Sequence, residues 1–299
     1  MSGSVLTSGD IQQVLQSVDL ISPLIKNLGE PSFPVLLWEF IDDFVNIEES
    51  CVYLLRRDGH SVRLANRWES EERDYWHHFM EKELVKLLNP YFNRFISEGF
   101  ADGFYHITDV APDDFKNSEY YKVFFRPAYD DSESADEGVY VTNIDDNNAL
   151  FLTIERGVKT PALSGKDLAR CKTLSPLITA LCFQQWAKPV LQMASEGGRR
   201  VTLFDELSRA FEQFGSHVLT DRERDVAALM LKGHSSKSAA RALDIAPDTE
   251  RAHRKRLYTK LNISSQAELF TLFFKSTEYL GESQDRDPLE DYIRSRPSR

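Results

Sequence analysis

Within residues 219–277 the sequence marks helix starts and stops four times, and that punctuation restricts the segment to a bundle of short helices. Thr220-Asp221-Arg222-Glu223 has capping-box spacing: the Thr hydroxyl accepts from a backbone N–H of the first turn, and the glutamate reaches back. The helix it starts carries Val226, Leu229 and Met230 on one stripe and stops at Gly233, a residue suited to the left-handed position after a helix. Ser235 or Ser236 caps a short second helix over 237–243, and Asp244-Ile245-Ala246 makes a turn. Pro247 opens a third helix at a position where its missing N–H costs nothing. That helix turns Leu257 and Leu261 inward and places Arg251 and Lys255, four apart, on another face beside Ala252. Ser265-Gln266-Ala267-Glu268 repeats the capping spacing and starts a fourth helix, to about Tyr279, rich in Leu269, Phe270, Leu272, Phe273 and Phe274.

Two short helices joined by a tight turn, the second bearing spaced cations, are the geometry that lays a helix in the major groove of DNA. Guanine offers acceptors there to a long cationic side chain. The whole chain carries a formal charge of −11, which argues against a polyanionic partner until its distribution is examined. Residues 216–275 carry net +4, residues 1–215 carry −13 and residues 276–299 carry −2. Such asymmetry is expected when one part alone meets nucleic acid.

Over about fifty residues the segment LTDRERDVAALMLKGHSSKSAARALDIAPDTERAHRKRLYTKLNISSQAEL resembles the LuxR/FixJ helix-turn-helix family. Matching positions include Leu219, Thr220, Arg222, Glu223, Val226, Gly233, Ser235, Lys237, Ala240, Leu243, Ile245, Thr249, His253, Lys260, Leu261 and Glu268. The resemblance implies an all-α four-helix DNA-binding domain. It implies base contact from Arg251, Ala252 and Lys255, and phosphate contact from Lys237, Thr249, Arg254 and Lys260. It also implies dimerisation through the fourth helix, where Leu269, Leu272 and Phe273 offer apolar surface. Three residues depart from the family's habit. Ala246 replaces a capping Ser, at about 1 kcal/mol. Glu250 replaces an apolar residue on the stripe of Leu257 and must reach solvent or a cation. Gln266 replaces a frequent Arg.

The preceding residues read as mixed α and β. Helical apolar spacing covers 10–18 and 33–45, the latter through Phe33, Leu36, Leu37, Phe40, Ile41 and Phe44. Strand-like runs at 51–55 and 61–65 flank the Asp58-Gly59 turn signal. Residues 69–97 are mostly helical, interrupted at Asn89-Pro90; a strand at 104–108, a loop at 109–114 and a short aromatic helix at 118–125 follow. A second hairpin pairs 139–142 with 150–154 across Asp145-Asp146-Asn147-Asn148. A long helix spans about 165–193 with Pro176 as a kink or restart, and Leu174, Ile178 and Leu181 along it could pair with a second copy. Ser195-Glu196-Gly197-Gly198 reads as a linker, and a helix covers 201–214. The expected architecture is an α+β sensor, an antiparallel sheet with flanking helices of GAF or PAS type, followed by the helix-turn-helix domain. The boundaries are 1–192 for ligand sensing and dimerisation, 193–215 for linker and connecting helix, 216–280 for DNA binding, and 281–299 for a flexible polar tail.

Of 34 aromatic residues, 25 lie in 1–192 and twelve of these between Tyr91 and Tyr129. Aromatic side chains line small-molecule pockets as well as cores, so Trp38, Tyr53, Trp68, Trp76, Tyr105, Tyr120, Tyr121 and Phe125 are the pocket candidates. FYHITDVAPDDFKNSEYYKVFF is similar to a stretch of GAF-like regions attached to such DNA-binding domains, which implies a cytoplasmic sensor. The spaced Trp/Tyr/Asp signature of acyl-homoserine-lactone sensors is not evident.

Other functions are disfavoured. No apolar run reaches the roughly 20 residues of a membrane span, and the first residues lack signal-peptide character. Cys51, Cys171 and Cys182 contain no CxxC pair and fit core thiols of a reducing cytoplasm; Cys171 and Cys182, eleven apart, can share one buried face. His77, His78 and Glu81 could meet on a helix but lack a metalloprotease motif, so no metal or other cofactor is expected. The acidic pairs 42–43, 113–114, 130–131 and 145–146 do not sit at the end of a first parallel strand, as a phosphoacceptor receiver requires. No nucleotide loop or nucleophilic triad is present, so no enzyme is expected. The expectation is a one-component transcription regulator, a homodimer on double-stranded, palindromic operator DNA, nucleoid-associated in a bacterial cytoplasm, governed by a small-molecule effector. Contact with RNA polymerase is compatible with it. Control by a protein partner or by phosphorylation is the alternative.

Overall fold

Turn chemistry sets the frame of the first unit. In the chain's computed structural model, which describes residues 19–67, 83–129, 132–157, 159–196, 203–277 and 287–295, both expected hairpins form. Strand β1 (Cys51–Arg56) pairs with β2 (Ser61–Asn66), while β3 (Gly103–His106), β4 (Asp136–Asn143) and β5 (Asn148–Arg156) complete an antiparallel sheet of order β2-β1-β5-β4-β3. Asp145 closes the second turn by accepting at Oδ1 from the backbone N–H groups of Asn147 and Asn148, both at 2.8 Å.

Side chains alternate across a sheet with period two, and here both faces are covered. Val52, Leu54, Tyr140, Leu150, Leu152 and Ile154 pack under helix α1 (Phe33–Asp42) and the long helix α3 (Gly165–Glu196). Leu55, Val139, Val141, Ala149 and Phe151 face helix α2 (Pro90–Ser97) and the aromatic segment 115–125. β5 is therefore buried at every position. α1 buries the expected stripe of Phe33, Leu37, Phe40 and Ile41. α2 begins where the sequence shows Asn89-Pro90, because the Asn89 side chain accepts from Tyr91 and Phe92 N–H and Pro90 holds the first position.

Four expectations need correction. The strand expected over 104–108 ends at His106, whose ring nitrogen accepts from Thr108 N–H while Asp109 reaches back, starting a helical turn instead. Residues 121–125 form a wide π turn, closed by Arg126 N–H on Tyr121 O at 2.8 Å. α3 runs unbroken past Pro176 and Pro189, without a restart, and its Leu174, Ile178 and Leu181 face the sheet rather than a second copy. The three cysteines are free and buried, with Cys171 and Cys182 on that same inner face.

The DNA-binding segment follows as α4 (Leu203–Gln213), α5 (Asp221–Leu231), α6 (Ser236–Ala242), α7 (Pro247–Leu261) and α8 (Gln266–Thr277). The expected flexible tail instead supplies α9 (Pro288–Ser295), which packs on α8. Fully buried Asp287 accepts from the backbone N–H groups of Gly215, His217 and Leu289 at 2.9–3.0 Å, and Leu289 is buried beside it. Asp-Pro-x-Glu is a helix start that the polar composition of the tail concealed. The expected helix at 10–18, Trp68, Trp76, the His77/His78/Glu81 group and Gly197-Gly198 lie outside the described residues.

Candidate nucleic-acid interface

The helix ends of the segment form as their residues dictate. Thr220 accepts from Glu223 N–H at 3.4 Å, and Glu223 returns a carboxylate oxygen to Thr220 N–H at 2.9 Å. Ser235 caps α6 through Ser238 N–H, whereas Ala246 leaves α7 without a side-chain cap. Glu268 N–H donates to Ser265, while the Glu268 carboxylate turns back one residue further than expected, to Ser264. Asp244 in the turn and Asn262 after α7 take positive φ of 53° and 52°, conformations that Asn and Asp tolerate.

α7 buries Leu257 and Glu250 and exposes Arg251, Ala252, Lys255 and Arg256. These are spaced by one and four residues and therefore share a face. Arg251 donates to Asp248 at 2.6 Å, with both side chains exposed, so the pair is weak and solvent-screened. Thr249 and Lys237 are exposed as well. Arg256, missed in the sequence reading, is found once Leu257 fixes the inner face. The remaining phosphate candidates are engaged inside the domain. Arg254 lies 2.9 Å from Glu250, so the buried carboxylate reaches a cation rather than solvent. Lys260 donates at 2.7 Å to buried Glu223. Burial pushes the Glu223 carboxyl up, but the Lys260 ammonium and the Thr220 donors outweigh it and hold it below the usual range.

The fourth helix is covered by its own chain. Phe273 is fully buried between Phe211 and Phe214, with ring centroids at 5.1 and 5.4 Å, and Leu269 is buried too. Of the three residues expected on a dimer surface, only Leu272 keeps partial exposure. The other side of α8 meets the N-terminal unit: Phe124 contacts Phe274 at 5.4 Å and Phe270 at 5.9 Å. Along the same seam Asp113 accepts from Ser235 N–H (3.2 Å) and Oγ–H (2.6 Å). Gly233 has φ +91°, and a Cβ there would stand 2.9 Å from the Ser118 Cβ, so conformation and contact both demand glycine. The N-terminal α+β unit and the helix-turn-helix unit thus share one apolar core.

Residues 217–273 match the family described as bacterial regulatory proteins, luxR family. They are a LuxR-family helix-turn-helix domain. The family is one of transcriptional regulators, not of enzymes. The chain is 39% identical over 130 residues to the HTH-type transcriptional regulator of the exeN 3′ region of Aeromonas salmonicida, 43% of this chain and 66% of that one. It is 42% identical over 67 residues to the transcriptional regulatory protein MctR of Rhizobium johnstonii, 22% of this chain and 31% of that one. The matches thus span from about a third to just under two thirds of those relatives' lengths. Among solved structures, the chain is similar to the VqsR LBD domain from Pseudomonas aeruginosa, at 22% identity and TM-score 0.47 over 56% of this chain and 93% of that one. It is also similar to SdiA in complex with octanoyl-rac-glycerol, at 11% identity and TM-score 0.39 over 89% and 94%.

The sheet divides the expected pocket residues. Trp38, on α1, donates its indole N–H to Ser50 Oγ at 2.8 Å, on the face opposite Tyr53 and Tyr105. Tyr120 is enclosed in the core, where burial drives its phenol far above the ordinary range. Tyr121 and Phe125, stacked at 5.4 Å, line an open cleft of about 510 Å³. A buried His106–Asp136 pair at 2.7 Å stands in its wall, with Asp113 and Phe115 of the seam.

Proposed function

We propose that this chain is a sequence-specific transcription regulator that binds operator DNA as a homodimer, under control of a small molecule sensed by residues 19–196. The observation that carries the DNA-binding part is the exposed α7 face of Arg251, Ala252 and Lys255 on a helix-turn-helix scaffold. Long cations near the start of such a helix reach guanine O6 and N7, and the exposed Lys237, Thr249 and Arg256 offer donors to phosphates. Two such domains are needed to read half-sites one helical turn apart, so the operator is a palindrome. Phe183 and Leu191, exposed on α3, are better placed to meet a second copy than the buried Leu269 and Phe273. Among the described residues no helix is long and apolar enough to cross a membrane; with the reduced cysteines this supports a cytoplasmic site of action.

Sensing is supported by the seam. A domain that buries aromatic rings of its sensor feels any change in their packing, and a ligand acts in proportion to its differential affinity for the two arrangements. Enrichment of duplexes from a random pool by the full chain tests the proposal. The expected product is a sequence with two inverted half-sites about one turn apart. Retention of all duplexes alike, at every salt concentration, refutes it.

A further inference from the structure

A second cleft, of about 460 Å³, opens along the seam where α2 of the sensor faces α4 and α5 of the DNA-binding domain. Its apolar wall comes from both units: Phe92 and Ile96 on one side, Phe211 and Ala228 on the other. Its volume lies within the range of small-molecule sites.

The polar part of the lining is unfinished. Lys232 lies over the Phe211 ring at 5.6 Å and has no ion-pair partner among the described residues. Burial pushes its ammonium below the ordinary lysine range, more than Glu212 can restore. Arg224 is already matched by Asp221 at 2.7 Å, and Asp225 by Arg222 at 3.4 Å. Glu212 is exposed. One desolvated positive charge remains, which Glu212 offsets only in part.

We propose that this seam cleft binds an apolar monocarboxylate, its carboxylate on Lys232 and its body between Phe92, Ile96, Phe211 and Ala228. A neutral or cationic head would leave Lys232 unmatched, and a dianion would exceed the single charge available. Because the walls belong to both units, the bound molecule holds them in the docked arrangement and shifts DNA affinity accordingly. The inference deepens the proposed sensing function and rests on it.

Decanoate, decanol and decylammonium titrated calorimetrically into the full-length protein test the site. One decanoate per chain is expected, with decanol and decylammonium at least tenfold weaker. Lys232→Gln should weaken decanoate at least tenfold, Lys232→Arg should largely restore it, and Ala228→Phe should abolish it by filling the cleft. Absence of decanoate binding, equal binding of the three amphiphiles, or binding indifferent to both Lys232→Gln and Ala228→Phe overturns the inference. DNA titration with and without decanoate separates it from the sensing proposal. Site-dependent decanoate binding that leaves DNA affinity unchanged supports the site and defeats sensing through it. A decanoate effect on DNA binding that survives both substitutions upholds sensing and overturns the site.

Discussion

Replacing Lys260 with methionine keeps the length of the side chain but removes the ammonium that donates to Glu223 at 2.7 Å. The carboxylate is then buried with only the Thr220 donors beside it. Removing one partner of a fully buried pair costs roughly 3–5 kcal/mol. The Lys260 side chain is 37% exposed, so solvent already screens the pair and the expected loss falls to about 2 kcal/mol. The two units share a core and should unfold together, for which that loss lowers Tm by roughly 3 °C. The pH dependence gives a second signature. In the wild type the Glu223 carboxyl sits below its unfolded value, so its contribution is present above the unfolded pKa and is lost as pH falls through the folded one. Without Lys260, burial is opposed by the Thr220 donors alone and the carboxyl rises relative to the wild type. The variant's penalty is then full near neutrality and is relieved on acidification. The Tm difference should therefore be largest near pH 7 and shrink toward about pH 4. Thermal denaturation followed by circular dichroism across that range measures it. An unchanged Tm at pH 7, with a loss of DNA affinity alone, would refute the reasoning and return Lys260 to the phosphate role that family resemblance implies.

Glu250→Val frees Arg254 from its buried carboxylate, so the slope of log affinity against log salt on random duplex should steepen by about 0.9, with little change in Tm; an unchanged slope in anisotropy titrations means Arg254 stays unavailable. Asp113→Ala removes the acceptor of Ser235 N–H and Oγ–H, and hydrogen exchange at Ser235 should quicken; since those hydrogen bonds hold the Asp113 carboxyl below the usual range despite burial, the wild-type seam should loosen as pH falls through that value while the variant should not respond. Asp287→Ala leaves three backbone N–H groups without their acceptor and should cost about 2–4 kcal/mol in denaturant unfolding; a shift within error would mean that α9 does not stabilise the fold.

Local chemistry was the legible part of the chain. Thr220/Glu223, Ser235 and Pro247 each act within four residues of themselves, so residue type and spacing suffice to place α5, α6 and α7. The same holds for Asn89-Pro90 before α2 and for the turn at Asp145. Periodicity also showed that Leu257 is inward and that Arg251 and Lys255 are not. Burial read from spacing does not name the partner, and there the expectations failed. Leu269 and Phe273 have the apolar spacing of a dimer surface, yet Phe211 and Phe214 cover them. Trp38 and Tyr53 are both aromatic and inward, but opposite faces of the sheet receive them. Arg254 and Lys260 match the family's phosphate positions, while Glu250 and Glu223 hold them. The seam could not be foreseen, because Asp113 and Ser235 are 122 residues apart and only the folded chain brings them together.

In the proposed division of labour the exposed face of α7 reads bases while Lys237 on α6 positions the backbone. Salt titrations of Arg251→Ala, Lys255→Ala and Lys237→Ala on the enriched duplex and on random duplex measure both roles at once. Arg251→Ala and Lys255→Ala should each lose about 1–3 kcal/mol on the enriched sequence and much less on random DNA, relaxing specificity. Lys237→Ala should weaken both duplexes about equally and flatten the salt slope by about one unit. Indistinguishable behaviour of the three variants on the two duplexes would contradict the account.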